Sequence, residues 1–163
     1  MSTQNNPNQG YNSTPDLTEE EVQRISDGFK IISMKMKNAA TGEVLWQCDD
    51  WNLREGEVKD VRFPKKILEC SEVSRELVFQ SGEEIKYFQL LQRIKFHGQE
   101  IESLYFRFGF VIPGSTNSWD QVIYADTEGM MPAEVLSGNL VVETLFMSGD
   151  TVVHRSFYRI FYE

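Results

Sequence analysis

The residue types best suited to metal or nucleophile chemistry are scarce in this 163-residue chain: two histidines, His97 and His154, and two cysteines, Cys48 and Cys70. A zinc site wants Cys or His ligands in close pairs, and none of the four stands at ligand spacing from another. His97-Gly98 reads as a hairpin tip, and His154 falls mid-strand in a surface role. Cys70 follows the apolar pair Ile67-Leu68 and reads as a small buried hydrophobe rather than a nucleophile. No nucleophile elbow and no phosphate-cradling glycine loop occurs. Carboxylates are plentiful, but no pairing stands out. No catalytic residue, metal or cofactor is nominated.

Three polar residues carry more information. Arg75 shares the period-two face Val73, Arg75, Leu77, Phe79. Gln92 shares the face Phe88, Leu90, Gln92, Ile94, Phe96. Glu102 opens the face Glu102, Leu104, Phe106, Phe108, Phe110, Ile112. Alternate residues of a strand point the same way, so each polar group is directed with large apolar ones. A buried charge or amide without a partner is costly. Two arrangements satisfy that requirement: a closed hydrogen-bonded network in the core, or an apolar cavity between sheets with a few polar groups to orient a ligand. Flexible Met34, Met36, Met130 and Met131 suit an adaptable pocket and an ordinary core alike. Periodicity alone leaves both readings open.

The elements that must position these residues are mostly strands. Thr18 opens a short helix with Glu21 three residues on as its capping partner, acidic Glu19 and Glu20 at the positive end, and Gly28 placed to end it. From Lys30 the period becomes two, with Ile32, Met34 and Met36 on one face. Ala40-Thr41-Gly42 turns the chain into a strand over 44–48. Further strands are expected near 57–63, 72–79, 86–96, 102–112, 119–124, 139–147 and 151–162. About nine strands with no βαβ rhythm predict an all-β fold, an antiparallel β-sandwich preceded by one short helix. Polar residues 1–16 are expected to be a disordered tail, and 17–163 a single domain.

Composition narrows the partners. Sixteen Lys and Arg against 25 Asp and Glu give a formal charge of -9 and a pI of about 4.8. Polyanion binding needs a phosphate-neutralising surface, so nucleic acid is not the expected partner. The start lacks a signal peptide's basic and apolar regions, and no apolar run approaches the ~18 residues of a membrane span. Ser2 and the ending Phe161-Tyr162-Glu163 fit no lipid-anchor signal. A soluble cytoplasmic protein without stable membrane insertion is expected, for which the sequon Asn12-Ser13-Thr14 carries no meaning.

Several blocks resemble one family. They include Gly28-Phe29-Lys30, Thr41-Gly42, Leu45-Trp46-Gln47, Pro64-Lys65-Lys66-Ile67-Leu68 with Cys70, and Val73-Ser74-Arg75-Glu76-Leu77. The most specific block is Phe108-Gly109-Phe110-Val111-Ile112-Pro113, continuing through Ser115-Thr116-Asn117 to Trp119. Met130-Met131-Pro132-Ala133, Val135-Leu136, Gly138-Asn139, Glu143-Thr144 and Phe161-Tyr162 follow in order. Over about residues 28–162 the chain resembles the prenyl-binding protein delta family, the family of the delta subunit of retinal rod cyclic-GMP phosphodiesterase.

The resemblance implies an immunoglobulin-like sandwich with a deep apolar pocket between its sheets. It implies a carrier rather than an enzyme, one that takes farnesylated or geranylgeranylated C-termini of Ras-like, Rab-like and other CaaX proteins off membranes. GTP-bound Arf-like GTPases would release the cargo, at cilia or perinuclear membranes among other places. Carried over by motif, the lipid-binding positions are Met34, Met36, Trp46, Val61, Cys70, Leu77, Leu104 and Phe106. Ile123, Met130, Met131, Leu136, Val142, Phe146, Tyr158, Ile160 and Tyr162 complete the apolar set. Arg75 and Gln92 match the polar positions facing the pocket, with acidic Glu102 nearby. The chain departs from the family pattern at Leu104, where Trp is typical, at residues 147–150, which replace a more acidic hairpin, and at Glu163, which replaces an apolar terminus. A carrier of myristoylated N-termini and a lipid-free β-sandwich adaptor are the alternative functions.

Overall fold

The computed structural model describes residues 17–163; the expectations for residues 1–16, the sequon included, lie outside the described residues. The first element is helix α1, Glu19–Gly28. The Glu21 N–H donates to Thr18 Oγ1 at 3.1 Å, and the Thr18 N–H donates to Glu21 Oε1 at 3.1 Å, a reciprocal capping box. The backbone N–H and hydroxyl of Thr18 hold the Glu21 carboxyl below the ordinary carboxylate range. Ile25 is the buried residue of the helix, which lies against strands near its own C-terminal end.

Gly28 ends the helix for a different reason from the expected one. The chain leaves in the extended conformation at Phe29, φ -95°. Gly28 suits the site because another backbone passes close by: the Gly82 N–H donates to the Gly28 carbonyl at 2.9 Å, and a Cβ on Gly28 would stand a tight 3.3 Å from the Gly82 nitrogen.

Nine strands follow among the described residues: β1 Phe29–Asn38, β2 Val44–Cys48, β3 Val58–Phe63, β4 Glu72–Ser81, β5 Ile85–Phe96, β6 Gln99–Val111, β7 Ser115–Tyr124, β8 Leu140–Ser148 and β9 Thr151–Tyr162. They form a four-stranded sheet in the order β2-β1-β4-β7 and a five-stranded sheet in the order β3-β9-β8-β5-β6. The architecture is the expected all-β sandwich, antiparallel throughout except that β3 runs parallel to β9. Parallel neighbours need a long crossover, and here everything between Phe63 and Thr151 serves as one. A 3-10 turn, Lys65–Glu69, and a four-residue helix α2, Ala133–Leu136, lie in the connections.

Two strands shift phase where strict alternation did not show it. In β1 a bulge between Ile31 and Ser33 turns Ile31 inward with Met34 and Met36, leaving Ile32 half-buried on the other side. In β6, Gly109 takes φ +109°, and beyond it Val111 is fully buried while Phe110 and Ile112 are 53% and 63% exposed. The expected inward face of β6 therefore ends at Phe108. His97 and Gly98, at φ +50° and +80° between paired Phe96 and Gln99, close the two-residue hairpin joining β5 to β6.

One half of the interior is solid. Phe29, Phe79, Phe88, Phe108, Trp119 and Phe146 interlock there, Phe88 stacked on Phe146 at 6.1 Å and Phe79 edge-on to Phe108 at 5.1 Å between ring centres. Removing the α1 cap tests the local reading: Thr18→Ala is expected to lower the unfolding free energy by about 1 kcal/mol in urea titrations, with the m-value unchanged.

Candidate functional site

The other half of the interior is hollow. A cavity of about 770 Å³ opens at the end of the sandwich where β5 and β7 finish and β4, β6 and β8 begin. The four-stranded sheet contributes Met36, Val73 and Arg75, with Ile123 from β7. The five-stranded sheet contributes Gln92, Ile94, Glu102, Leu104, Val142, Tyr158, Ile160 and Tyr162. Met130, Met131 and Leu136, from the connection between β7 and β8, cover one side of the mouth. Alternation explains most of the selection, because the strands offer residues of inward parity from their mouth-proximal ends.

The cavity floor is polar. The Arg75 guanidinium, 1% exposed, donates from Nε to Gln121 Oε1 at 2.6 Å and from Nη1 to Gln92 Oε1 at 2.6 Å. Arg75 and Gln121 are register partners on β4 and β7, whereas Gln92 lies on β5, so the second bond ties one sheet to the other. The Gln92 amide then donates to the Thr144 hydroxyl at 3.1 Å and to the Tyr158 hydroxyl at 3.5 Å. Burial depresses the Arg75 pKa and raises that of Tyr158, each partly offset by the other's proximity. Nearer the mouth, burial raises the Glu102 carboxyl and the Tyr162 phenol. Behind the floor lies a second void of about 20 Å³, reached by Arg75, Gln92, Tyr158, Thr144 and Ser156, and closed at the back by His154.

Seven positions carried over by motif do not reach the main cavity surface. Met34, Leu77 and Phe146 lie behind the polar floor and border the small void. Trp46 stands outside the wall, edge-on to Phe63 at 5.0 Å and Trp51 at 5.4 Å, while Phe63 itself faces the cavity. Val61 is buried in the core two residues before Phe63. Phe106 backs the floor, its ring 5.5 Å from the Arg75 guanidinium carbon. Cys70 is buried, its Sγ directed at the Lys66 carbonyl at 3.6 Å, and desolvation raises its thiol pKa, which fits a packing role.

Several lining residues escaped the sequence reading. Val73, Ile94 and Leu140 share strand faces with Arg75, Gln92 and Val142, so alternation was the signal for them. Ile67 and Leu68 sit on the 3-10 turn, and Ile101 and Ser103 reach the mouth beside the bulge at Ile94/Lys95; no sequence period marks those positions.

His154 is a correction. It is not a surface residue but faces inward between Phe29 and Phe146, at 5.8 and 6.0 Å between ring centres. A carbonyl can only accept, so Nε2–H donates to the Leu53 carbonyl at 3.0 Å, and Nδ1 is buried without a partner. Its parity on β9 matches Tyr158 and Ile160, which was the missed clue. Among the described residues no cluster of three His, Cys, Asp or Glu side chains is placed to hold a metal, and no helix is long and apolar enough to cross a membrane.

A two-sheet sandwich solid at one end and hollow at the other, with an apolar wall and a few buried polar groups, defines a protein that encloses a greasy ligand. The family model for the GMP-PDE delta subunit matches residues 23–162, and the chain belongs to that family, whose general role is that of a prenyl-binding carrier.

Burial lowers the His154 pKa below its ordinary value near 6.5, against the opposing bond to Leu53. The unfolded chain therefore binds the proton more readily, and the stability contributed by neutral His154 is present above pH 6.5 and lost as the pH falls below it. Unfolding free energies measured from pH 8 to 5 are expected to decline in the wild type and to decline less in His154→Phe.

Proposed function

We propose that the cavity encloses the farnesyl or geranylgeranyl group of a prenylated C-terminus, from Ras-like, Rab-like or other CaaX proteins, and carries it through the cytoplasm between membranes without chemical change. The observation that carries this reading is the apolar cavity of about 770 Å³ in one half of the sandwich. A farnesyl chain has about fifteen carbons, and burial at roughly 0.8 kcal/mol per methylene gives on the order of 10 kcal/mol gross. Association and ordering costs take back a large part of this, which leaves sub-micromolar, reversible binding. Reversibility is what a carrier needs.

The residues proposed to touch the chain are those on the cavity wall, Met36, Leu104, Ile123, Val142 and Ile160 among them, with Met130 and Met131 over it at the mouth. Release is assigned to a GTP-bound Arf-like GTPase that binds preferentially a state with a narrowed cavity. The Met130-Met131-Pro132 segment is proposed to move, which is supported by the position of Met130 and Met131 on the cavity and the 38% exposure of Met131. Cilia and perinuclear membranes are the proposed destinations.

Fluorescence polarisation tests the reading with one C-terminal peptide prepared farnesylated, geranylgeranylated and unmodified, beside a myristoylated N-terminal peptide. Sub-micromolar binding confined to the prenylated forms is expected; equal weak binding of all four peptides would refute it. Leu104→Trp adds bulk to the wall and is expected to weaken the geranylgeranyl peptide more than the farnesyl one. In a release assay with a GTP-loaded Arf-like GTPase, Met131→Ala is expected to slow discharge, and an unchanged rate would sink the proposed role of that segment.

A further inference from the structure

The polar floor asks for a ligand that a hydrocarbon tail does not supply. Arg75 is fully buried at the inner end of an apolar cavity, yet its partners are the neutral amide oxygens of Gln92 and Gln121. No ion pair joins it to a carboxylate among the described residues; beyond the two amides it has only the nearby Tyr158 hydroxyl to offset its burial, and Nη2 has no acceptor in good hydrogen-bond geometry among them. Tyr158, the other polar group beside it, is a neutral phenol whose proton burial holds more tightly. A desolvated guanidinium without a counter-ion is among the costliest groups a core can hold, and it stays charged at any working pH. A prenyl chain entering tail first would lay its apolar end on Nη2 and leave that cost unrelieved.

The opposite arrangement relieves it. Accepting the reading that the cavity encloses lipid, we propose that the same cavity binds free long-chain fatty acids head first, with the carboxylate on Arg75 and the acyl chain running towards the mouth. One carboxylate oxygen accepts from Nη2, forming the bond to an anion that no carboxylate among the described residues provides there. The wall above is apolar, as an acyl chain requires. The mouth works in the same sense: Glu102 lies there half-buried, and an anionic head group is disfavoured beside it. Attraction at the floor and repulsion at the rim give the fatty acid one orientation. Fatty acid and prenylated peptide then compete for one space, and cellular fatty acid becomes a determinant of how much carrier is free.

Isothermal titration of the wild-type protein with laurate and with methyl laurate isolates the carboxylate. Laurate is expected to bind at least about tenfold tighter than the ester, since a hydrogen bond to a charged group outweighs a neutral one. Laurate is also expected to displace a labelled farnesyl peptide. Arg75→Met keeps the bulk and removes the charge, and is expected to bring acid and ester to equal affinity. Equal affinity of the two in the wild type, or a preference for acid that survives in Arg75→Met, overturns the proposal. The farnesyl peptide titrated into the same wild-type sample separates the two readings. Peptide binding without an acid preference overturns only the fatty-acid site, whereas binding of none of the three overturns the lipid cavity as well.

Discussion

The bond from Arg75 across to Gln92 is the constraint on which the interior depends. It joins the four-stranded sheet to the five-stranded one through a guanidinium 1% exposed. A charge in that position can be tolerated only if its donors are met by well-oriented acceptors. Gln121 beside it on the same sheet and Gln92 opposite supply two of them, and Thr144 and Tyr158 fix the Gln92 amide in turn. This layer divides the sandwich. Behind it aromatic rings close-pack, and in front of it the sheets stay apart.

A hollow half-sandwich must be held open by something other than its contents. Here the ladders do this work, since long strands such as β5, β6 and β9 run from the packed half into the hollow half and carry its walls as extensions of a rigid frame. The parallel pairing of β3 with β9 covers what would otherwise be an open edge beside the cavity, with Phe63 on the wall and Trp46 and Trp51 buttressing it from behind. The packed aromatic half provides the stability, and the hollow half spends part of it on a surface exposed to ligand.

The charge distribution fits a greasy interior carried through water. Most of the charged residues sit on the outside, where Glu143, 8% exposed on β8, gathers Arg93, Lys95 and Arg155 at 3.3–3.6 Å on the outer side of the five-stranded sheet. Arg75 at the floor and Glu102 near the mouth face inward instead. The net charge of -9 favours hydration of a surface whose mouth presents apolar side chains such as Ile101 and Met131.

The sequence by itself determined the elements and their faces. The capping box at Thr18 and Glu21, the hairpin tip at His97-Gly98 and the parity that turns Arg75, Gln92 and Glu102 inward are local properties, governed by hydrogen bonds within a few residues and by the period of the strand. The family blocks added the expectation of a pocket. Only the tertiary structure decided between a filled network and a cavity, because both satisfy the same alternation and differ in the distance between sheets. It also decided which inward residues stand in front of the polar layer, as Met36 and Leu104 do, and which behind it, as Met34 and Leu77 do. The bulge after Ile31 and the left-handed Gly109 shifted faces that strict alternation had run through. His154 shares the parity of Tyr158 and Ile160, but its inward place is set by β9's register against β8 and by the rings that close over it.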